Sequence, residues 1–454
     1  MNSNKRFIIE KETKRSYNKR SLVNDEERKN LNGITFIRVG KNIMAVVKPF
    51  KAFRPRKGLE NEVASLPYDV YNRKEAKQQV NGHPIAFLNI DRPETYFSDD
   101  YDMYAPEVYQ KAHDVLWEMV KEGTFCQDRE AVYYLYELTM NGRSQTGIVA
   151  CASIDDYQNG VIKKHENTRE EKEQDRIRHI DACDMQTGPI FLAYRNNKII
   201  TDITKKVKET TPIFDFISED GIMHRGWMVV DSNDNIQIEK AFSNIKHLYI
   251  ADGHHRAASA VKVGLKRRTK HSNYTGDEEF NYFLSVIFPD DELFIMPYNR
   301  VVKDLNGLSE EEFLSQVSVK YEIESSNVPV RPKQKHQVGM FLGGHWYQMT
   351  LKSEYENNDS VDGLDVSILQ SEVLSPILGI GDPRIDERID FVGGIRGLEE
   401  LEHRVNEDCK VAFSMYPTSI SELFAVADEN RLMPPKSTWF EPKLRSGLFL
   451  HSIK

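Results

Sequence analysis

The stretch HLYIADGHHRAASAVKVG, residues 247–264, constrains what this chain can fold into more than any other. An apolar run ends at Ala251 as a strand would. Gly253 permits a sharp turn, and an alanine-rich segment from His254 onward reads as a helix that Gly264 stops. A helix that starts directly after a strand presents unpaired N–H groups at its first turn, which suit an anion, and His254, His255 and Arg256 add donors there. Consecutive helical side chains diverge by about 100°, so His254 and His255 are poorly placed to ligate one metal ion together. Asp252, at the strand's carboxyl end, is placed to hold Mg2+ or to accept a proton from a hydroxyl. A capped helix with a decorated turn is the plainer reading of the same residues.

Around this junction, strand-like and helix-like segments alternate. The run IAFLNI (85–90) suits a buried strand, residues 106–123 have helical spacing ending at Gly123, and residues 131–154 read as a hairpin. Residues 165–184 form a charged helix, with Thr168 and Glu171 spaced as a capping box. The 454 residues are too many for one core, since domains average about 150 residues. The expected organisation is a basic N-terminal extension over 1–43, an αβ region over 44–160, a nucleotide-binding core over 161–304, and a C-terminal αβ region over 305–454. The fold class expected is α+β. Residues 1–41 carry eleven Lys or Arg against five Asp or Glu, a surplus of six positive charges, and MAVVKPFKAFRP from Met44 reads as a protein start.

A hydrophobic content of 39% with 29% charged residues describes a globular chain. No apolar run approaches the roughly 18 to 20 residues that span a bilayer, and no secretory h-region opens the sequence, so a cytoplasmic protein without a membrane partner is expected. The four cysteines form no CxxC pair and read as reduced packing residues. A net charge of −9 disfavours nucleic acid as a partner.

Four further stretches carry chemistry. In KKHENTREEKEQDR (163–176), His165 and Glu166 precede the helix while Lys172, Asp175 and Arg176 lie in it, so the two groups could frame one pocket with Glu166 as base. An exposed charged helix is the alternative. In MPPKSTWFEPKLRSGLF (433–449), Lys436, Ser437, Thr438 and Lys443 crowd a loop too rich in proline for a helix, which suits phosphate, while Trp439 and Phe440 demand burial. The turn PYDV holds Asp69, and Arg300 in MPYNR is able to pair with a carboxylate or phosphate. There is no GxGxxG after a strand, no Walker A loop, no GxSxG elbow, no HExxH helix and no kinase HRD or DFG.

The blocks MAVVKPFKAFRPRKGL, SLPYDVYNRKEA, HENTREEKEQDR, YIADGHHRAASA, MPYNRVV and MPPKSTWFEPKLRSGL, in that order over residues 44–454, resemble the prokaryotic domain-of-unknown-function family 1015. Its DGHHR block is in turn similar to the nucleotide-binding block of the ParB/sulfiredoxin-like superfamily, which includes free serine kinases that make O-phospho-L-serine. The resemblance implies a ParB/sulfiredoxin-like mixed α/β core and an ATP-dependent, or ADP-dependent, small-molecule kinase of amino-acid metabolism with L-serine as acceptor and Mg2+ as the metal. It implies catalytic roles for Asp252 and Glu166 and phosphate or nucleotide contacts from Gly253, His254, His255 and Arg256; from their own chemistry Asp252 is also the expected metal ligand, and Lys436, Ser437, Thr438 and Lys443 are expected to add phosphate or nucleotide contacts. Serine would then be held by Asp69 through its ammonium, Arg300 through its carboxylate, and His165. Two rivals stand beside this reading: a ParB-like nucleotide-responsive DNA-binding or regulatory protein, for which the basic 1–41 segment speaks, and a metal-dependent phosphohydrolase using His165, Glu166, His254 and His255. The oligomeric state stays open, a homo-oligomer included.

Overall fold

Two sheets carry the molecule, and both are visible in the computed structural model, which describes residues 44–271 and 273–454. The basic segment expected at residues 1–43 lies outside the described residues. The larger sheet has nine strands: β1 (Val47–Lys48), β2 (Tyr134–Met140), β3 (Arg143–Ser153), β4 (Ile162–Lys163), β5 (Ile190–Tyr194), β6 (Phe214–Ile217), β7 (Met223–Met228), β8 (Leu248–Asp252) and β9 (Tyr282–Pro289). Their order is β4-β8-β5-β9-β3-β2-β7-β6, with β1 paired to β3. The β4–β8 and β5–β9 pairs are parallel and the others antiparallel, so the sheet is mixed. Regions 44–160 and 161–304 of the sequence therefore contribute strands to one sheet. The second sheet has six strands, β10 (Tyr298–Val302), β11 (Tyr321–Ser326), β12 (Gln337–Leu342), β13 (His345–Leu351), β14 (Ile389–Gly393) and β15 (Val411–Met415), in the order β11-β13-β12-β15-β10-β14.

Alternation along the strands builds two cores from one sheet. Leu248 and Ile250 of β8 join a core with Leu135, Ile148 and Ile287, under helices α1 (Lys198–Lys208), α2 (Ser232–Phe242) and α3 (His254–Lys270), which contribute Ile203, Phe242 and Ala257. Tyr249 and Ala251 point the other way, into a core with Tyr134, Val149 and Val286 that continues to Met340 and Phe413 of the second sheet. Because both faces of β8 are buried, its sequence is a continuous apolar run rather than an alternating one. Each Val, Leu, Ile or Phe fully buried this way contributes about 1.5–3 kcal/mol.

Three local expectations are corrected. Residues 85–90 are not a strand: a short helix runs over Leu88–Asp91, with the Asn89 side-chain amide donating to the carbonyls of His83 and Ala86. A brief apolar run fits either state by periodicity, and here side-chain capping of the turn decided it. The charged helix is Glu170–Cys183, capped at Arg169, and the Thr168 hydroxyl bonds to Glu173 instead of forming a box with Glu171. Helix α3 does not stop at Gly264 but continues to Lys270. Gly264 is there for contact, since a Cβ would lie 2.4 Å from the Phe280 carbonyl oxygen. The hairpin read over 131–154 and the helix read over 106–123 both form.

Candidate active site

Strict alternation would send Asp252 into the apolar, helix-covered face that Leu248 and Ile250 occupy. The ladder slips instead: Ile250 pairs with Leu192 but Asp252 pairs with Phe191, so β8 holds one extra residue and the carboxylate is re-aimed. Gly253 follows with φ +92° and ψ +33°, and a Cβ there would lie 3.0 Å from the Arg256 Nε. Glycine is needed on both counts. The first helical hydrogen bond of α3 is donated by Ala257 to the Gly253 carbonyl at 2.9 Å, so the N–H groups of His254, His255 and Arg256 have no acceptor within the helix.

Asp252 lines a cleft of about 740 Å³ together with His165, Glu166, Asp69, Lys436, Ser437, Thr438 and Lys443. Eight of the residues singled out in four separate sequence stretches thus line one cavity. Its carboxylate lies 3.4 Å from Arg256 Nη2 and 3.7 Å from Lys443 Nζ. Burial by itself would raise its pKa, but the charges of Lys443 and Arg256 outweigh it and hold the group at about 2. Asp252 is ionised throughout the neutral range.

Glu166 is treated oppositely: burial pushes its carboxyl above the usual range, against the opposing pull of Lys436. Its Oε2 lies 3.7 Å from His254 Nδ1. The His254 and His165 rings meet edge to face with centroids 4.5 Å apart, and burial keeps both imidazoles neutral at pH 7, His165 at about 4. His165 Nδ1 and His254 Nε2 are buried without a hydrogen-bond partner.

The opposite wall is the loop after residue 432. It has no helix, as its prolines predict, and Phe440 is buried as expected while Trp439 is only half-buried. It is held by distant groups: Met433 N–H donates to the His165 carbonyl at 2.8 Å, Thr418 Oγ1 to the Ser437 carbonyl at 3.0 Å, and Arg300 Nη2 to the Lys436 carbonyl at 3.2 Å. Lys443 Nζ sits over the Trp439 ring at 4.8 Å and Lys436 Nζ over Tyr298 at 5.5 Å. Lys436 has no carboxylate partner among the described residues.

Other expected residues lie elsewhere or are already engaged. Arg300 is 3% exposed, stacks on Phe391 and does not line the cleft, so it is a strut under the loop rather than a substrate ligand. The Ser437 hydroxyl donates to the Pro434 carbonyl at 2.6 Å. Gly253, His254, His255 and Arg256 stand behind Asp252 and are not among the cleft's lining. Arg256 Nη1 donates to the Pro189 carbonyl at 2.5 Å, and His255 Nε2 accepts the Arg169 N–H at 2.9 Å. Of the four side chains named by the phosphohydrolase alternative, His165, Glu166 and His254 lie together while His255 is turned to Arg169, and among the described residues no group of three or more His, Cys, Asp or Glu is gathered as for a metal ion. Sequence reading missed Asp220, Glu441, Arg396 and Tyr298 in the lining. Tyr298 and Glu441 stood inside stretches already singled out, MPYNR and MPPKSTWFEPKLRSGLF, while Asp220 and Arg396 did not.

The fold and these side chains define a mixed α/β protein with a charged cleft at a strand–glycine–helix junction. The chain belongs to the family described as Protein of unknown function (DUF1015), whose model matches residues 47–367. The loop carrying Lys436 and Lys443 lies beyond the matched residues. No curated protein matches the chain in sequence. Among solved structures it is similar to a free serine kinase variant in complex with AMP, at 12% identity and TM-score 0.35 over 67% of this chain and 92% of that one. A second free serine kinase variant, in complex with ADP, is similar at 12% identity and TM-score 0.35 over 72% and 93%. SbnI with C-terminal truncation from Staphylococcus aureus is similar at 11% identity and TM-score 0.36 over 67% and 87%. Among the described residues no helix is long and apolar enough to cross a membrane.

Proposed function

We propose that this chain is a nucleotide-dependent phosphotransferase that phosphorylates the hydroxyl of free L-serine, with ATP or ADP as donor, on a ParB/sulfiredoxin-like core that includes residues 161–304. The observation that carries this reading is the pairing of two carboxylates of opposite character in one cleft. Asp252 is held ionised beside Lys443, and Glu166 is shifted towards protonation across from Lys436. Environments that push two acids apart are what acid–base division of labour requires.

Glu166 takes the proton of the serine hydroxyl as its oxygen forms a bond to the terminal phosphorus and the bond to the leaving phosphate oxygen breaks, giving phosphoserine and the shortened nucleotide. Lys436 and Lys443 neutralise charge spread over the transferred group, and positioning plus charge supply most of the rate in such reactions. Mg2+ commonly uses one or two carboxylates plus phosphates and waters, so the partly exposed Asp252 fits as its protein ligand. When bound there, the ion supplies charge neutralisation at the phosphates.

Purified protein with ATP, Mg2+ and L-serine should yield phosphoserine by 31P NMR. Asp252→Asn should lower that rate by about 10²–10⁴-fold with an unchanged circular-dichroism spectrum. Nucleotide binding without turnover of serine removes serine as the acceptor.

A further inference from the structure

A second compartment of about 220 Å³ lies on the other side of the Tyr68–Asp69 turn, and Asp69 lines both it and the main cleft. The helix residues Lys172, Asp175 and Arg176, which sequence spacing placed near Glu166, line this compartment and not the main one. Six charged side chains face it. Four neutralise one another: Arg92 pairs with Glu94 at 2.5 Å and donates to the Tyr68 and Tyr71 carbonyls, while Arg176 pairs with Asp175 at 2.8 Å and stacks on Tyr68 at 4.0 Å. The remaining two, Lys172 and Asp69, have no ion pair or hydrogen bond among the described residues. Both side chains line this same compartment. One free cation and one free anion facing a small aromatic-walled space match a molecule that carries one charge of each sign.

We propose that this compartment receives the zwitterionic end of an α-amino acid, with Lys172 taking its carboxylate and Asp69 its ammonium, while its side-chain hydroxyl reaches past the turn to Glu166. This rests on the kinase reading for the hydroxyl's destination, but the recognition of the two charges stands on the compartment alone. Lys172 does the work that sequence reading gave to Arg300, which is buried under the loop.

The test is calorimetric titration of the full chain with L-serine and with serinamide, which keeps the ammonium and hydroxyl but has no carboxylate. Lys172→Met should weaken L-serine about tenfold, the size of a lost charged hydrogen bond, and serinamide less than about twofold. Asp69→Asn should weaken both, and ATP binding should survive Lys172→Met unchanged. An L-serine affinity untouched by Lys172→Met, equal losses for both ligands, or no L-serine binding by the unaltered protein overturns the proposal. The two readings fail separately: serine bound in this way but never phosphorylated removes the kinase and keeps the compartment. Phosphoserine made by Lys172→Met with an unchanged serine KM does the reverse.

Discussion

The two walls of the cleft carry opposite charges, Asp252 and Glu166 against Lys436 and Lys443, and hold them by different means. The wall at Asp252 is a strand end, one glycine and a helix start, so its geometry follows from contiguous residues and their backbone. The wall at residues 433–443 has almost no regular structure, and its shape is imposed by Thr418, Arg300 and the His165 carbonyl, groups far away in sequence. A substitution in the first wall should act on the chemistry where it falls. The second wall should be sensitive at positions that never meet a ligand.

Three substitutions sharpen that contrast, in descending order of effect. Glu166→Gln removes the proton acceptor and should cost about 10²–10⁴-fold in phosphoryl transfer. In the unaltered protein kcat/KM should fall as pH drops through the Glu166 pKa. Burial raises that pKa above the ordinary glutamate range, so the acidic limb should sit above that range and vanish in the variant. Lys443→Met should weaken nucleotide binding roughly tenfold, as loss of one phosphate-facing charge does. Because Lys443 is the strongest of the charges holding Asp252 down, the Asp252 titration followed by NMR should move upward from about 2. Thr418→Val deletes one buried hydrogen bond to the loop and should cost about 1–3 kcal/mol in urea unfolding. It should also raise the nucleotide KM a few-fold although Thr418 lines no part of the cleft. If Thr418→Val changes stability but not KM, the loop does not depend on its distant supports and the contrast between the walls collapses.

Much of the site was legible because its chemistry is written in short blocks. Asp252, Glu166, Lys436 and Lys443 stood out as charged residues beside turns, and the structure brings them to one cavity. Arg300 was misread because a charged residue next to a proline turn looks the same whether it faces ligand or props a loop; only its 3% exposure separates the two. Residues 85–90 were misread because periodicity cannot tell a buried strand from a buried helical turn over six residues. Asp220 gave no signal, as an acid in a loop is ordinary until something is folded opposite it.

By itself the sequence determined the strand–glycine–helix junction, the hairpin read over residues 131–154 and the absence of helix from the proline-rich loop. These are consequences of backbone preference and side-chain period within a few residues. Tertiary structure alone decided that β8 bulges to turn Asp252 out of the core, that one cleft gathers four distant stretches, and that Lys172 faces a separate compartment. The physical reason is range. Propensity and periodicity act over one or two turns of chain, whereas the pKa of a carboxylate and the partner of a cation depend on whichever charges folding brings within a few ångströms.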